Sequence, residues 1–250
     1  MLYPLSILSL VLLFLIHLTH GSSHQKHSHD SQHHLSLDTD SISFETRAHW
    51  MRKANAALTE LASPCPFAAF GTVIVNHTAT SEEFPHGKLI CYSVNQNQRE
   101  GNPTLHGEIS GINNCSKILT SASGPYTLTP KEALIAFHSL TLYTNAEPCP
   151  MCASAIRWSG FKECIFGTSI STLISKGWSQ IDLSAEEVFE EAGALPGATK
   201  LMGGVLSNET DPWFSWQFDS EISCPKGCAR SGKEGEGVCE PVGEEGKSKL

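Results

Sequence analysis

The stretch Thr104-Leu105-His106-Gly107-Glu108-Ile109-Ser110, answered 43 residues after its histidine by Glu147-Pro148-Cys149-Pro150-Met151-Cys152, decides how this chain is read. One imidazole and two thiolates supply three ligands to a tetrahedral zinc ion, which leaves a fourth position for water. Zinc lowers the pKa of that water to about 7, so hydroxide becomes available at neutral pH. Glu108 lies two residues past His106 and stays free to carry protons. If His106 opens a helix, Glu108 sits about 200° round it, at the helix mouth. Cys149 and Cys152 are three apart and share one helical face, near the positive end that favours thiolates. A C-x-x-C alone reads as a redox pair or a local disulfide, and that reading leaves His106 and Glu108 idle. The order of the two motifs and the proline before the first cysteine carry the metal reading.

Working outward, Phe44, Ala48, Met51, Ala54, Leu58 and Leu61 recur at helical spacing, and Pro64 and Pro66 end that first helix. Phe70–Val75 and Lys88–Val94 read as strands joined through Phe84-Pro85-His86-Gly87. His106 opens a helix running to Leu119. Thr129-Pro130-Lys131-Glu132 forms a capping box with proline at the first helical position, so a short helix is expected over 130–137. Ser139–Thr144 reads as a third strand, Cys149–Trp158 as a helix closed by Gly160, and Cys164–Gly167 as a fourth strand. Ser184-Ala185-Glu186-Glu187 caps a helix reaching Ala192. Helix, two strands, then alternating helix and strand give a three-layer α/β/α sandwich with a mixed central sheet.

Residues 1–21 contain no Lys, Arg, Asp or Glu, and Leu5 to Leu18 is apolar apart from Ser6, Ser9 and His17. The segment reads as a signal peptide cleaved after Gly21, too short for a comfortable membrane span, and a secreted protein is expected. Residues 22–43 hold five histidines between His24 and His34 and read as a disordered linker, with metal scavenging the lesser reading. The main domain is expected over 44–222. A Cys-, Gly- and Glu-rich tail follows over 223–250, loose from Lys226 onward.

The net charge of −9 argues against nucleic acid as partner, because phosphate binding needs clustered Lys and Arg. Nine cysteines less two for zinc leave Cys65, Cys91, Cys115, Cys164, Cys224, Cys228 and Cys239. In an oxidising compartment some of these pair, and an odd number leaves one over. Cys91, Cys115 and Cys164 read as buried free thiols, and Cys224, Cys228 and Cys239 as disulfide formers. Asn76-His77-Thr78, Asn114-Cys115-Ser116 and Asn208-Glu209-Thr210 fit the N-glycosylation sequon, whereas Pro103 spoils Asn102-Pro103-Thr104. Asn114 lies on the His106 helix and is expected to be inaccessible.

The paired motifs resemble the H-x-E…P-C-x-x-C signature of zinc nucleobase deaminases. Thr104–Ser110 with Asn114-Cys115 resembles fungal cytosine deaminase. Glu147–Cys152 with Ala155, Ile156 and Trp158 resembles guanine deaminase, and is similar to bacterial tRNA adenosine deaminase. The resemblance covers Phe44 to Ala192 and implies the cytidine-deaminase-like fold. It implies a zinc-dependent aminohydrolase acting on C–N bonds of cyclic amidines, one zinc per chain on His106, Cys149 and Cys152, and Glu108 as proton shuttle. It also implies a homodimer, a small nucleobase or nucleoside substrate, and a base-binding asparagine after the second strand. Asn95 has the matching spacing and Asn97 is the runner-up. Trp158 matches a pocket aromatic of guanine deaminases, and its place near a helix end suits a core residue equally. Asp211-Pro212-Trp213-Phe214-Ser215-Trp216 resembles the C-terminal segment of cytosine deaminase, but Trp216 stands where that family has a carboxylate. A purine such as guanine is therefore slightly favoured. Cytosine or cytidine, and an adenosine within tRNA or another nucleic acid, are the alternatives. Trp213, Phe214 and Trp216 read as docking residues rather than pocket lids. The His106–Cys149 gap is longer than the family usually shows, and the excess is expected over Ser121–Phe137 as a surface excursion. A purely structural zinc would need a fourth protein ligand, for which His138 is the candidate.

Overall fold

The structure is a computed structural model that describes residues 42–231 and 237–242. The expected signal peptide and nearly all of the His-rich linker lie outside the described residues. Among the described residues no helix is long and apolar enough to cross a membrane.

The first helix, α1 (Phe44–Leu61), starts where Ser43 Oγ accepts the N–H of Thr46. Ala48, Met51, Ala54 and Leu58 are buried as their spacing predicts, whereas Phe44 and Leu61 at the helix ends face solvent. Strands β1 (Gly71–Asn76) and β2 (Lys88–Val94) follow, then the short α2 (Asn97–Glu100) and the long α3 (Gly107–Thr120). Next come α4 (Pro130–Ala136), β3 (Leu140–Ala146), α5 (Pro150–Ser159), β4 (Glu163–Thr168), α6 (Ile170–Ser175), α7 (Ala185–Glu191), β5 (Lys200–Met202) and α8 (Ser207–Thr210). The last strands are β6 (Cys228–Arg230) and β7 (Cys239–Pro241).

Five strands form one sheet in the order β2-β1-β3-β4-β5. β1 is antiparallel to β2 and β3, while β3, β4 and β5 run parallel, so the sheet is mixed as expected. The alternation of β1 shows the layering. Val73 and Val75 pack with Trp50, Met51 and Ala54 of α1 on one face. Ile74 packs with Cys115 and Leu119 of α3, Ala133 of α4 and Ile156 of α5 on the other. The buried Arg47 donates to both carboxylate oxygens of Glu163 at 3.0 and 3.2 Å, tying α1 to β4. Together these layers make the expected α/β/α sandwich.

Three details differ from the sequence reading. The 121–137 excursion is rooted in the core: the Thr129 capping box starts α4 as expected, but Ala133 and Phe137 are buried against the sheet while Leu134 and Ile135 face out. Cys91 and Cys115 are not free thiols. They pair, joining β2 to α3, and Cys164 alone of that trio remains a buried thiol. The tail is not loose over its described part, because Cys224–Cys239 and Cys65–Cys228 pin the β6–β7 hairpin beside the buried Trp216.

Candidate metal centre

His106 and Cys149 occupy equivalent places in the fold. Each is the extended N-cap residue of a helix, His106 for α3 and Cys149 for α5. Each follows a segment leaving the same edge of the β-layer, so two helix N-termini converge. α3 can come this close because residue 107 is glycine: a Cβ there would lie 2.8 Å from the Phe70 carbonyl oxygen. Pro150 fixes the first turn of α5, and Gly160 ends it in the left-handed conformation at φ 70°.

His106 Nδ1 lies 3.6 Å from Cys149 Sγ. The ligand atoms of His106, Cys149 and Cys152 all fall within 4.8 Å of one another. Zinc bonds of about 2.0 Å to nitrogen and 2.3 Å to sulfur, at a tetrahedral angle, separate two such donors by roughly 3.6 Å. One imidazole and two sulfurs are also the donor types that zinc prefers. The three residues therefore fit the ion the spacing implied, and no disulfide joins the two sulfurs. His138 is exposed beside Gly160 at the far end of α5, and the structure does not bring it to the trio. No fourth protein ligand closes the site among the described residues.

Glu108 is buried, and burial, followed by the Cys149 charge, pushes its carboxyl up to about 7. Hydrogen bonding from Cys152, and then from His106, brings the Cys149 thiol down to about 4. The same exchange with Cys149, together with burial, raises the Cys152 thiol. The hydrogen bond to Cys149 raises His106.

His106 and Cys149 open into a cavity of about 230 Å³, with Cys152 buried behind them. Phe67, Phe70 and Trp178 supply its aromatic wall, Asn95, Asn97, Gln98 and Gln180 its amides, and His106, Glu108, Glu147 and Cys149 its floor. Asn95, the candidate base-binding residue, lines this cavity. Its N–H donates to the Phe70 carbonyl and its Oδ1 accepts the N–H of Asn97, which leaves the amide nitrogen for a ligand. Asn97 also lines the cavity, but its Oδ1 is taken by the N–H of Gln98.

Trp158 is not a wall of this cavity. It is 75% exposed and lines a separate depression with Leu183 and Glu187. The reason is helical phase: six residues past Cys152 amounts to about 240°, which turns the indole away from the metal face. The tryptophan that lines the cavity, beside Phe67 and Phe70, is Trp178, which sequence reasoning missed. Its indole N–H donates to the Phe214 carbonyl at 2.9 Å, and its ring meets Phe70 edge-on at 5.3 Å. Phe214 and Trp216 are buried, so the C-terminal aromatics dock and hold Trp178 rather than cap the pocket. The sequence signal for Trp178 was a lone aromatic after Gly177 in a polar loop. Asn145 was also missed. Wholly buried, it accepts the N–H of Gly71 and donates to the Ala69 carbonyl, fixing the segment before β1.

Residues 44–168 match the family model described as the cytidine and deoxycytidylate deaminase zinc-binding region. The chain is 30% identical to a guanine deaminase of Bacillus subtilis over 47% of its length and 65% of that protein. It is 32% identical to a probable cytosine deaminase of Schizosaccharomyces pombe, over 42% of this chain and 50% of that protein. It is 31% identical to a tRNA-specific adenosine deaminase of Rickettsia bellii, over 34% of this chain and 49% of that protein. The chain thus spans about half to two thirds of the length of these relatives.

Proposed function

Because the chain belongs to the family of the cytidine and deoxycytidylate deaminase zinc-binding region, we propose that it hydrolytically removes the exocyclic amino group of a free nucleobase. The observation that carries this reading is the buried carboxyl of Glu108 set beside a His–Cys–Cys trio, at the floor of a cavity walled by aromatics and amides. Zinc, when bound by His106, Cys149 and Cys152, activates water as the nucleophile and offsets negative charge as it develops.

The chain's own residues supply the rest. The Glu108 carboxylate takes a proton from the attacking water, gives it to a ring nitrogen, and then protonates the departing amine, so that base and water become the oxo-base and ammonia. Buried beside the metal-binding trio, the carboxyl is placed for both directions of transfer. Asn95 Nδ2 donates to an acceptor on the ring, and Phe70 and Trp178 offer their faces and edges to it.

The cavity is smaller than the 300 Å³ or so at which drug-sized sites begin, which suits a base better than a nucleoside. No Lys or Arg lines it, which disfavours a polynucleotide substrate. A purine such as guanine stays slightly ahead of cytosine, because Trp216 is buried and no carboxylate stands in its place. Secretion is part of the proposal. It is supported by the apolar N-terminal segment and by three disulfides among the described residues. A homodimer is proposed too, supported by the exposed Trp158 on α5.

The test is ammonia release from guanine, cytosine, adenine, adenosine and cytidine by the zinc-loaded protein, with a tRNA substrate alongside. Release from a free base, abolished in Glu108→Gln, supports the reading. Silence on every free base, or activity confined to tRNA, overturns it.

A further inference from the structure

We propose that Asn76 and Asn208 carry N-linked glycans, whereas Asn114, in an equally valid sequon, does not. The assignment rests on the secretion reading, not on the deaminase chemistry. Three disulfides among the described residues support folding in an oxidising compartment, and in a secretory lumen that compartment is where oligosaccharide transfer to Asn-x-Ser/Thr occurs. In that transfer the asparagine Nδ2 displaces a lipid diphosphate from the anomeric carbon of a lipid-linked oligosaccharide. A C–N bond forms, the C–O bond to diphosphate breaks, the amide gives up one proton, and the lipid diphosphate leaves.

The structure sorts the three sequons by what each amide nitrogen does after folding. Asn76 ends β1. Its Oδ1 accepts both the N–H of Thr78 at 2.9 Å and the hydroxyl of Thr78 at 2.7 Å, and the residue is half-buried at the strand end. Its Nδ2 has no partner among the described residues and is free to bear a sugar. Asn76 also lies five residues along β1 from Gly71, at the strand end away from the metal centre. That is a separation of about 17 Å at roughly 3.3 Å per residue, so a glycan there does not crowd the cavity.

Asn208 is exposed at the start of α8, and no side-chain hydrogen bond engages it among the described residues. Its sequon threonine, Thr210, ends buried against Thr168, so transfer precedes folding there and the sugar then stays outside.

Asn114 is different. Its Nδ2 donates to the Tyr92 carbonyl at 3.0 Å, bridging α3 to β2. The next residue, Cys115, is fully buried in the disulfide to Cys91. A sugar on Asn114 would break that bridge and lever α3, which carries Glu108, off the sheet, so a chain that receives one there does not reach this fold and the folded, secreted protein carries none at Asn114.

The experiment expresses the full chain, with its own N-terminus, in a eukaryotic secretory host. Glycopeptides of the wild-type protein are read by mass spectrometry before and after peptide-N-glycosidase treatment. Occupancy at Asn76 and Asn208, with none at Asn114, is expected. Asn76→Gln and Asn208→Gln should each remove one step of the glycosidase-sensitive mobility shift, and Asn114→Gln none. Occupancy at Asn114, an unshifted secreted protein, or a chain retained unmodified in the cytosol each overturns the proposal. Occupancy of one site only overturns the assignment of the other. Ammonia release is measured separately, so a failed glycan assignment leaves the deaminase reading untouched.

Discussion

The carboxylate of Glu147 accepts the backbone N–H of Ala185 at 2.8 Å, across 38 residues of chain. Its other oxygen accepts the N–H of Ile170, also at 2.8 Å. One buried anion thus holds the first residues of α6 and α7, where the helix dipoles favour it. Between those helices runs the loop that carries Trp178, Ser179 and Gln180 into the cavity. Glu147 sits two residues before Cys149, so the pocket wall hangs from the metal segment itself.

Glu147→Gln should therefore disturb the wall more than the metal. The amide keeps one acceptor and turns an N–H₂ toward the second donor. Losing one hydrogen bond to a charged group costs about 1.5–3 kcal/mol. We expect KM to rise by about tenfold or more, zinc content to stay at one per chain, and hydrogen exchange across 170–185 to quicken. Unchanged exchange there would falsify the positioning role.

Glu108→Gln should separate chemistry from binding. The substitution removes a proton carrier without touching the three ligands, so kcat should fall by about 10²- to 10⁴-fold with zinc retained. Chelation should abolish activity in the wild type, and added zinc should restore it. The measurements are metal analysis and ammonia release on both proteins. A Glu108→Gln variant as active as wild type would remove Glu108 from the reaction.

The metal centre was legible in the sequence because its ligands are local words, a His-Gly-Glu and a Pro-Cys-x-x-Cys, each opening a helix. The sandwich was legible from the order of periodic segments. Trp178 was not, because what brings it to the cavity is long-range: Glu147 holding Ile170 and Ala185, and the Phe214 carbonyl holding the indole. Trp158 was misplaced because a family match fixes position in the chain but not the face of α5 that turns inward. Cys91 and Cys115 looked like core thiols because a buried cysteine has the same surroundings whether or not it has a partner. Only the approach of β2 to α3 pairs them.

The β6–β7 hairpin should depend on its cross-links. Cys65 and Cys228 are 163 residues apart, and the hairpin adds little apolar core of its own. A disulfide closing a long loop contributes about 2–4 kcal/mol. A Cys65→Ala, Cys228→Ala double variant should lower the denaturant midpoint by a corresponding amount. It should loosen the packing around Trp216 and leave zinc content unchanged. An unaltered midpoint would show that the hairpin stands without the bond.

A further dependence should appear in mild acid, far from the metal. His77 Nδ1 lies 3.1 Å from the His86 carbonyl, which can only accept, so Nδ1 carries the proton. Nε2 then accepts from the Tyr143 hydroxyl at 2.9 Å. The neutral ring satisfies both partners, and burial lowers its pKa from 6.5 to about 4. The unfolded chain binds this proton more readily than the folded one, so stability rises with pH through the window. The contribution is complete above about pH 6.5 and is lost as the pH falls toward and through 4. Protonation at Nε2 also removes the acceptor that Tyr143 uses, which reinforces the same sign. Denaturant midpoints measured from pH 7.5 to 4 should fall more steeply for wild type than for His77→Gln, whose side chain does not titrate. Equal slopes in the two proteins would place the acid sensitivity elsewhere.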